Sequence, residues 1–112
     1  MMQNDLYARW GIQQGMHVTA SETPFEFFTK LKAYNGYDIS GKVAQDVLVM
    51  AGAEDHFVPL QQFFRQLKLL TMARSVTGQI FTAKDQAQSH CQIGNLALSA
   101  LQMMAWIEAH SL

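Results

Sequence analysis

Two residue types in this sequence could do acid–base chemistry together, an aspartate and a histidine, each in a loop that follows a strand-like run. Asp55 lies in Gly52-Ala53-Glu54-Asp55-His56, just past the apolar run Asp46 to Met50. His90 lies in Ser89-His90-Cys91-Gln92, past the run Ser75 to Thr82. The two are 35 positions apart. If the two runs are parallel strands, both loops leave the sheet at the same end, the carboxyl end, where open parallel sheets bind ligands. A carboxylate beside an imidazole holds it in one tautomer and stabilises the cation formed when it takes a proton. Each residue also has a plainer reading. Gly-x-x-Asp is a common turn, and a loop histidine need do no chemistry. Glu54 is the alternative acid, and His56 is expected near the site without a catalytic part.

Cys91 adjoins His90, and a thiolate is a strong nucleophile when its pKa is depressed. Neighbours on an extended segment point their side chains apart, however, so adjacency argues against a Cys-His dyad. Asp55, His56 and His90 are metal-ligating residue types, but no HxxxH or CxxC spacing supports a metal site, and no metal or cofactor is expected. The aromatic residues Phe25, Phe28, Phe63 and Phe64 fall at core spacing and read as packing rather than as a cofactor box.

These loops need a scaffold, and hydrophobic periodicity supplies one. Asp46 to Met50, closed by Ala51-Gly52, is short, continuous and β-branched, as expected of a strand buried on both faces. Pro59 opens a helix carrying Leu60, Phe63, Phe64, Leu67 and Leu70 at helical spacing, with Gln61, Arg65 and Lys68 on its polar side. Ser75 to Thr82 is a second strand, in which Gly78 marks a bulge or a close approach. Two strands joined by a helix should run parallel with a right-handed crossover. Gly94 or Asn95 then opens a last helix to about His110. Its Leu96, Leu98, Leu101, Met103, Met104, Trp106 and Ile107 form more than one apolar stripe, so more than one face should be covered.

Ahead of this core, Asn4 to about Ile12 reads as a helix with Leu6, Tyr7 and Trp10 on one face. Gly11 and Gly15 should interrupt it, leaving His17 to Ala20 extended. Thr23-Pro24-Phe25-Glu26 reads as a capping box, with Thr23 as the cap and Glu26 reaching back. The helix it opens should bury Phe25, Phe28 and Leu31, with Phe27 widening that face, and end near Asn35-Gly36. The fold class expected is α/β, a β-α-β parallel core with flanking helices. Residues 1–38 form a helical cap-like or connecting segment and 39–112 one compact unit.

Composition limits the partners. The 112 residues, 49% hydrophobic, make one ordinary domain, and the formal charge of −1 comes from scattered residues. No basic stripe could neutralise a row of phosphates, so nucleic acid is not an expected partner. The N-terminus lacks a signal-like basic and apolar pattern, and the longest apolar run, Val47 to Ala53, is too short for a bilayer. A single cysteine suits a reducing cytoplasm. The expectation is a cytoplasmic protein with no membrane partner.

DVLVMAGAEDHFVP, with its strand, Gly52, Asp55 and Pro59, is similar to the acid-bearing segment of α/β-hydrolases, and AQSHCQIGN places His90 as that family places its histidine, before a closing helix. The similarity spans roughly Ile39 to Ile107. It implies Asp55 as triad acid, His90 as general base, and a serine hydrolase of esterase or amidase type acting on a small ester or amide. The family's nucleophile sits in G-x-S-x-G. Gly11 and Gly15 are the only glycines four apart and have Gln13 between them, so none of Ser21, Ser40, Ser75, Ser89, Ser99 or Ser111 stands in such an elbow. The resemblance therefore implies the C-terminal part of a hydrolase with an incomplete triad, inactive alone and working with an N-terminal half. The alternatives are a non-catalytic oligomer and a small-ligand binding protein. Two parallel strands leave both sheet edges bare, which makes a homo-oligomer the expected state.

Overall fold

The computed structural model describes residues 5–111. The chain divides after Gly36 into two compact units.

The first unit is a pair of helices, α1 (Leu6–Val18) and α2 (Pro24–Leu31). Asp5 caps α1, its carboxylate accepting from the N–H groups of Tyr7 and Ala8 at 3.1 Å. Asn4, where the helix was expected to begin, lies outside the described residues. Gly11 and Gly15 do not interrupt α1, and His17 is helical rather than extended. A glycine costs a helix about 1 kcal/mol relative to alanine, and at Gly15 the missing side chain has a use. A Cβ there would run into the Phe27 ring of α2. Close packing of the two helices thus overrides the local signal to break. The turn falls later, at Thr19 and at Ala20, whose φ is 47°. Lys30 Nζ donates to the carbonyls of Thr19 (3.0 Å) and Ala20 (2.8 Å), tying α2 to the end of α1.

Thr23 caps α2 as expected, accepting from the Glu26 N–H at 3.1 Å. The Glu26 carboxylate reaches one residue further back than a capping box requires, to the Glu22 N–H at 2.8 Å. The expected buried face is not the one used. Phe25, Phe28 and Leu31 are exposed, while Phe27 turns inward against Gly15. The helix also stops at Leu31, before Asn35-Gly36.

The second unit is the α/β core. A four-residue helical turn, α3 (Tyr37–Ser40), which the sequence did not signal, leads into β1 (Asp46–Gly52), α4 (Leu60–Leu69), β2 (Ser75–Phe81) and α5 (Leu96–His110). The two strands pair in parallel with an unbroken register from Asp46 against Ser75 to Gly52 against Phe81. Gly78 is therefore a close approach and not a bulge. A Cβ on it would sit 2.8 Å from the Phe63 ring and 3.1 Å from a Leu67 methyl, so α4 lies on that face of the sheet. Successive strand residues face opposite sides. Thr77, next along β2, accepts a 2.9 Å hydrogen bond from the Trp106 indole of α5. Hence α4 and α5 cover the two faces of the sheet.

The buried apolar residues are Phe63, Leu70, Phe81 and Ala87. Phe64, expected in the core, is exposed. So are Leu96, Leu101, Met103, Met104 and Ile107, and α5 buries only Ser99 in full. The expectation that more than one face of this helix would be covered fails because the sheet has only two strands and presents one of its faces to α5. For the same reason β1 is mostly half-buried rather than buried throughout. At the amino end of the sheet, Asp46 accepts from the Arg74 guanidinium (Nε at 2.9 Å) and from the Ser75 hydroxyl at 2.6 Å, closing β1 onto the start of β2. No helix among the described residues is long and apolar enough to cross a membrane.

Candidate active site

Parallel pairing brings the loops after β1 and β2 to one end, and backbone hydrogen bonds then join them. Ala53 N–H donates to the Phe81 carbonyl at 2.8 Å and Glu54 N–H to the Gln88 carbonyl at 2.9 Å. Gly52 permits this seam. A Cβ on it would press into the Gln88 and Ser89 carbonyls, which are main-chain atoms and cannot swing away.

Asp55 is then held by three donors. One carboxylate oxygen accepts from the N–H groups of Phe57 (2.8 Å) and Val58 (2.9 Å), an aspartate turn that folds the loop around its own side chain. The other oxygen lies 2.8 Å from His90 Nδ1. The Asp55 side chain is 9% exposed and that of His90 38%. Burial pushes the Asp55 carboxyl up. The Val58 N–H, the His90 ring and the Phe57 N–H outweigh it, and the net effect holds the group below its ordinary value. An ionised carboxylate can only accept, so the proton of the 2.8 Å contact sits on Nδ1, which in the neutral ring leaves the lone pair on Nε2. Chemically, this arrangement can take a proton at Nε2 and stabilise the imidazolium that results.

His90 opens a short 3-10 turn, His90–Gln92, in which Cys91 and Gln92 have φ of 53° and 54°. The segment is therefore a tight left-handed turn and not extended, as the sequence argument about Cys91 assumed. The turn is fixed from behind. Gly94 lies where a Cβ would strike the Gln86 carbonyl, and Asn95 caps α5 through the Leu98 N–H (3.2 Å) while donating to the Asp85 carbonyl at 3.0 Å. Thr82 and Asp85 form a reciprocal cap just upstream, and its hydrogen bonds hold the Asp85 carboxyl below its ordinary value.

Of the residues expected here, Asp55 and His90 are brought together, and Glu54 is not the residue that meets the imidazole. His56 is a neighbour, its ring centroid 6.3 Å from that of His90. Cys91 is exposed and lines, with Met50, Val58, Pro59, Phe63 and His90, a pocket of about 260 Å³. Among the described residues no hydroxyl or thiol is hydrogen-bonded to His90. Ser40 instead accepts from Gln66, Ser75 donates to Asp46, and Ser99 to the Leu96 carbonyl. No group of three His, Cys, Asp or Glu side chains among the described residues could hold a metal ion.

Sequence reasoning missed Phe57. Its N–H holds Asp55 and its ring stands edge-on to His90, centroids 4.9 Å apart. The signal was present, since an aspartate followed two and three residues on by free N–H groups is the composition of such a turn. It also missed Asn95 as the residue binding the histidine loop to α5.

Comparison with protein-family models, curated proteins and solved structures finds no match to this chain.

Proposed function

We propose that this chain supplies the acid and the base of an α/β-hydrolase-type site, of esterase or amidase class, and that a nucleophile-bearing half completes it. The observation that carries this reading is the 2.8 Å contact between Asp55 and His90 Nδ1, made by loops at the carboxyl ends of two parallel strands. That is where an open α/β sheet positions its chemistry, and the acid-before-histidine order matches the family resemblance of these segments. In this reading His90 Nε2 removes the proton of an incoming serine hydroxyl. Asp55 stabilises the cation without taking the proton itself. Without a nucleophile and oxyanion donors, acid and base alone have no acyl transfer to perform.

The test is p-nitrophenyl acetate turnover by the purified chain, by a polypeptide carrying the G-x-S-x-G segment encoded upstream, and by their mixture. Turnover is expected only in the mixture and is expected to vanish with His90→Ala. An upstream sequence without that segment, or turnover indifferent to His90→Ala, would overturn the reading.

A second reading is a non-catalytic oligomer. It is favoured by the apolar flank of α5 and by the sheet, which pairs only β1 with β2 among the described residues. Light scattering separates the two, since this reading requires a discrete homo-oligomer with no need of a second polypeptide.

A further inference from the structure

The pocket beside Asp55 and His90 has a composition that selects by charge and size. Its walls are Met50 and Ala51 of β1, Val58 and Pro59 of the acid loop, and Phe63 of α4, with Cys91 and Gln92 beside the histidine. Among the described residues no lysine or arginine lines it, and the one carboxylate that does, Asp55, already serves the two N–H groups and the imidazole. A ligand carboxylate would enter an apolar cleft beside a like charge with no cation to offset it, so it loses hydration and gains repulsion. A cation would be drawn by that charge but would also lose hydration in the apolar cleft, against a carboxylate whose charge three donors already meet in part. A neutral group loses little. The volume, about 260 Å³, falls below the range of drug-sized sites and suits a few heavy atoms.

We infer that this pocket takes a small neutral ligand, a chain of a few carbons ending in one ester, amide or hydroxyl group, and turns away carboxylates. The inference rests on the hydrolase-type reading of the site and narrows its substrate class to short uncharged acyl compounds. Product acids would then leave readily, because hydrolysis of such an ester or amide adds water across the acyl bond and releases a carboxylate that the pocket repels.

The experiment is an NMR titration of the full chain, carrying ¹³C-methyl methionine and ¹⁵N histidine, with butyramide and separately with butyrate at pH 7. Butyramide is expected to shift the Met50 methyl and the His90 ring signals in a saturable way. Butyrate should bind at least about tenfold more weakly, the discrimination that about 1.4 kcal/mol of lost hydration and repulsion supplies. Val58→Lys, which places a cation at the rim without touching the backbone N–H that holds Asp55, should narrow or reverse that preference. Folding of this variant is checked by retention of the His90 Nδ1–H signal. Butyramide that leaves both probes unmoved, or butyrate binding as tightly, overturns the inference. The two proposals fail separately. Selective binding without turnover in the completed enzyme sinks the hydrolase reading alone, and turnover without charge selection sinks this one alone.

Discussion

Asp55 joins the fold to the site, because the same carboxylate shapes its own loop and holds the imidazole. Its carboxyl lies below the ordinary value in the folded chain. A group depressed in this way contributes stability that is present above its unfolded pKa and lost as pH falls through the folded one. Acid titration of the wild type should therefore lose stability below about pH 4, near the unfolded aspartate value, and Asp55→Asn should flatten part of that loss. At pH 7 Asp55→Ala leaves the Phe57 and Val58 N–H groups without their acceptor. Because these N–H groups lie in an exposed loop where water can replace the acceptor, a cost of about 1 kcal/mol is expected in urea denaturation, and an unchanged midpoint would mean the loop does not depend on its aspartate.

At the scale of elements, two glycines carry the packing of the core through what their absent side chains admit. Gly78→Val raises β-propensity but drives a branched side chain into Phe63 and Leu67. Overpacking of this kind costs about 1–3 kcal/mol, so urea denaturation should show a less stable protein. A more stable one would place α4 elsewhere. Gly52→Ala pushes against main-chain carbonyls of the histidine loop, and its expected result is loss of the Asp55–His90 contact rather than a simple drop in stability. At the other end of the strands, the Arg74 guanidinium and the Ser75 hydroxyl beside Asp46 hold its carboxyl down at about 2. Being depressed, it too contributes stability above its unfolded pKa and loses it as pH falls from about 4 toward 2. Asp46→Asn should remove that part of the acid transition, visible as a shallower fall of the unfolding midpoint between those pH values.

The same elements explain what the sequence could and could not convey. β1, α4, β2 and α5 were legible because each is a periodic or β-branched run bounded by Gly, Pro or Asn, and Asp55 and His90 followed from the parallel order those runs imply. The first unit was legible in its caps but not in its packing. Gly15 reads as a breaker until Phe27 is known to need its space, and the face of α2 that turns inward depends on that one contact. The left-handed turn at Cys91 and Gln92 has no glycine to announce it. Exposed Phe64 and the outer side of α5 could not be foreseen, since periodicity says which residues are apolar and not whether a partner surface exists.

For the molecule as a whole, the unmet apolar surface is the main fact. Leu101, Met104 and Ile107 on α5 are each at least half exposed, at 68%, 56% and 50%. Contiguous apolar surface of this kind marks sites of association. If this flank mediates self-association, Met104→Glu should convert a discrete oligomer to monomer in light scattering while leaving the helical circular dichroism unchanged. A wild type that is already monomeric at micromolar concentration excludes the oligomer reading and leaves the flank for a different polypeptide.

Long-range ¹H–¹⁵N NMR of the His90 ring, recorded at a pH where the ring is neutral, in the wild type and in Asp55→Asn, tests the roles given to this pair. The expected result is a proton on Nδ1, bonded to the Asp55 carboxylate, with Nε2 bare, and loss of that arrangement in the variant. A wild-type ring protonated on Nε2 would contradict it, because Nε2 could then serve as no base, and a tautomer unchanged in Asp55→Asn would remove the role given to Asp55.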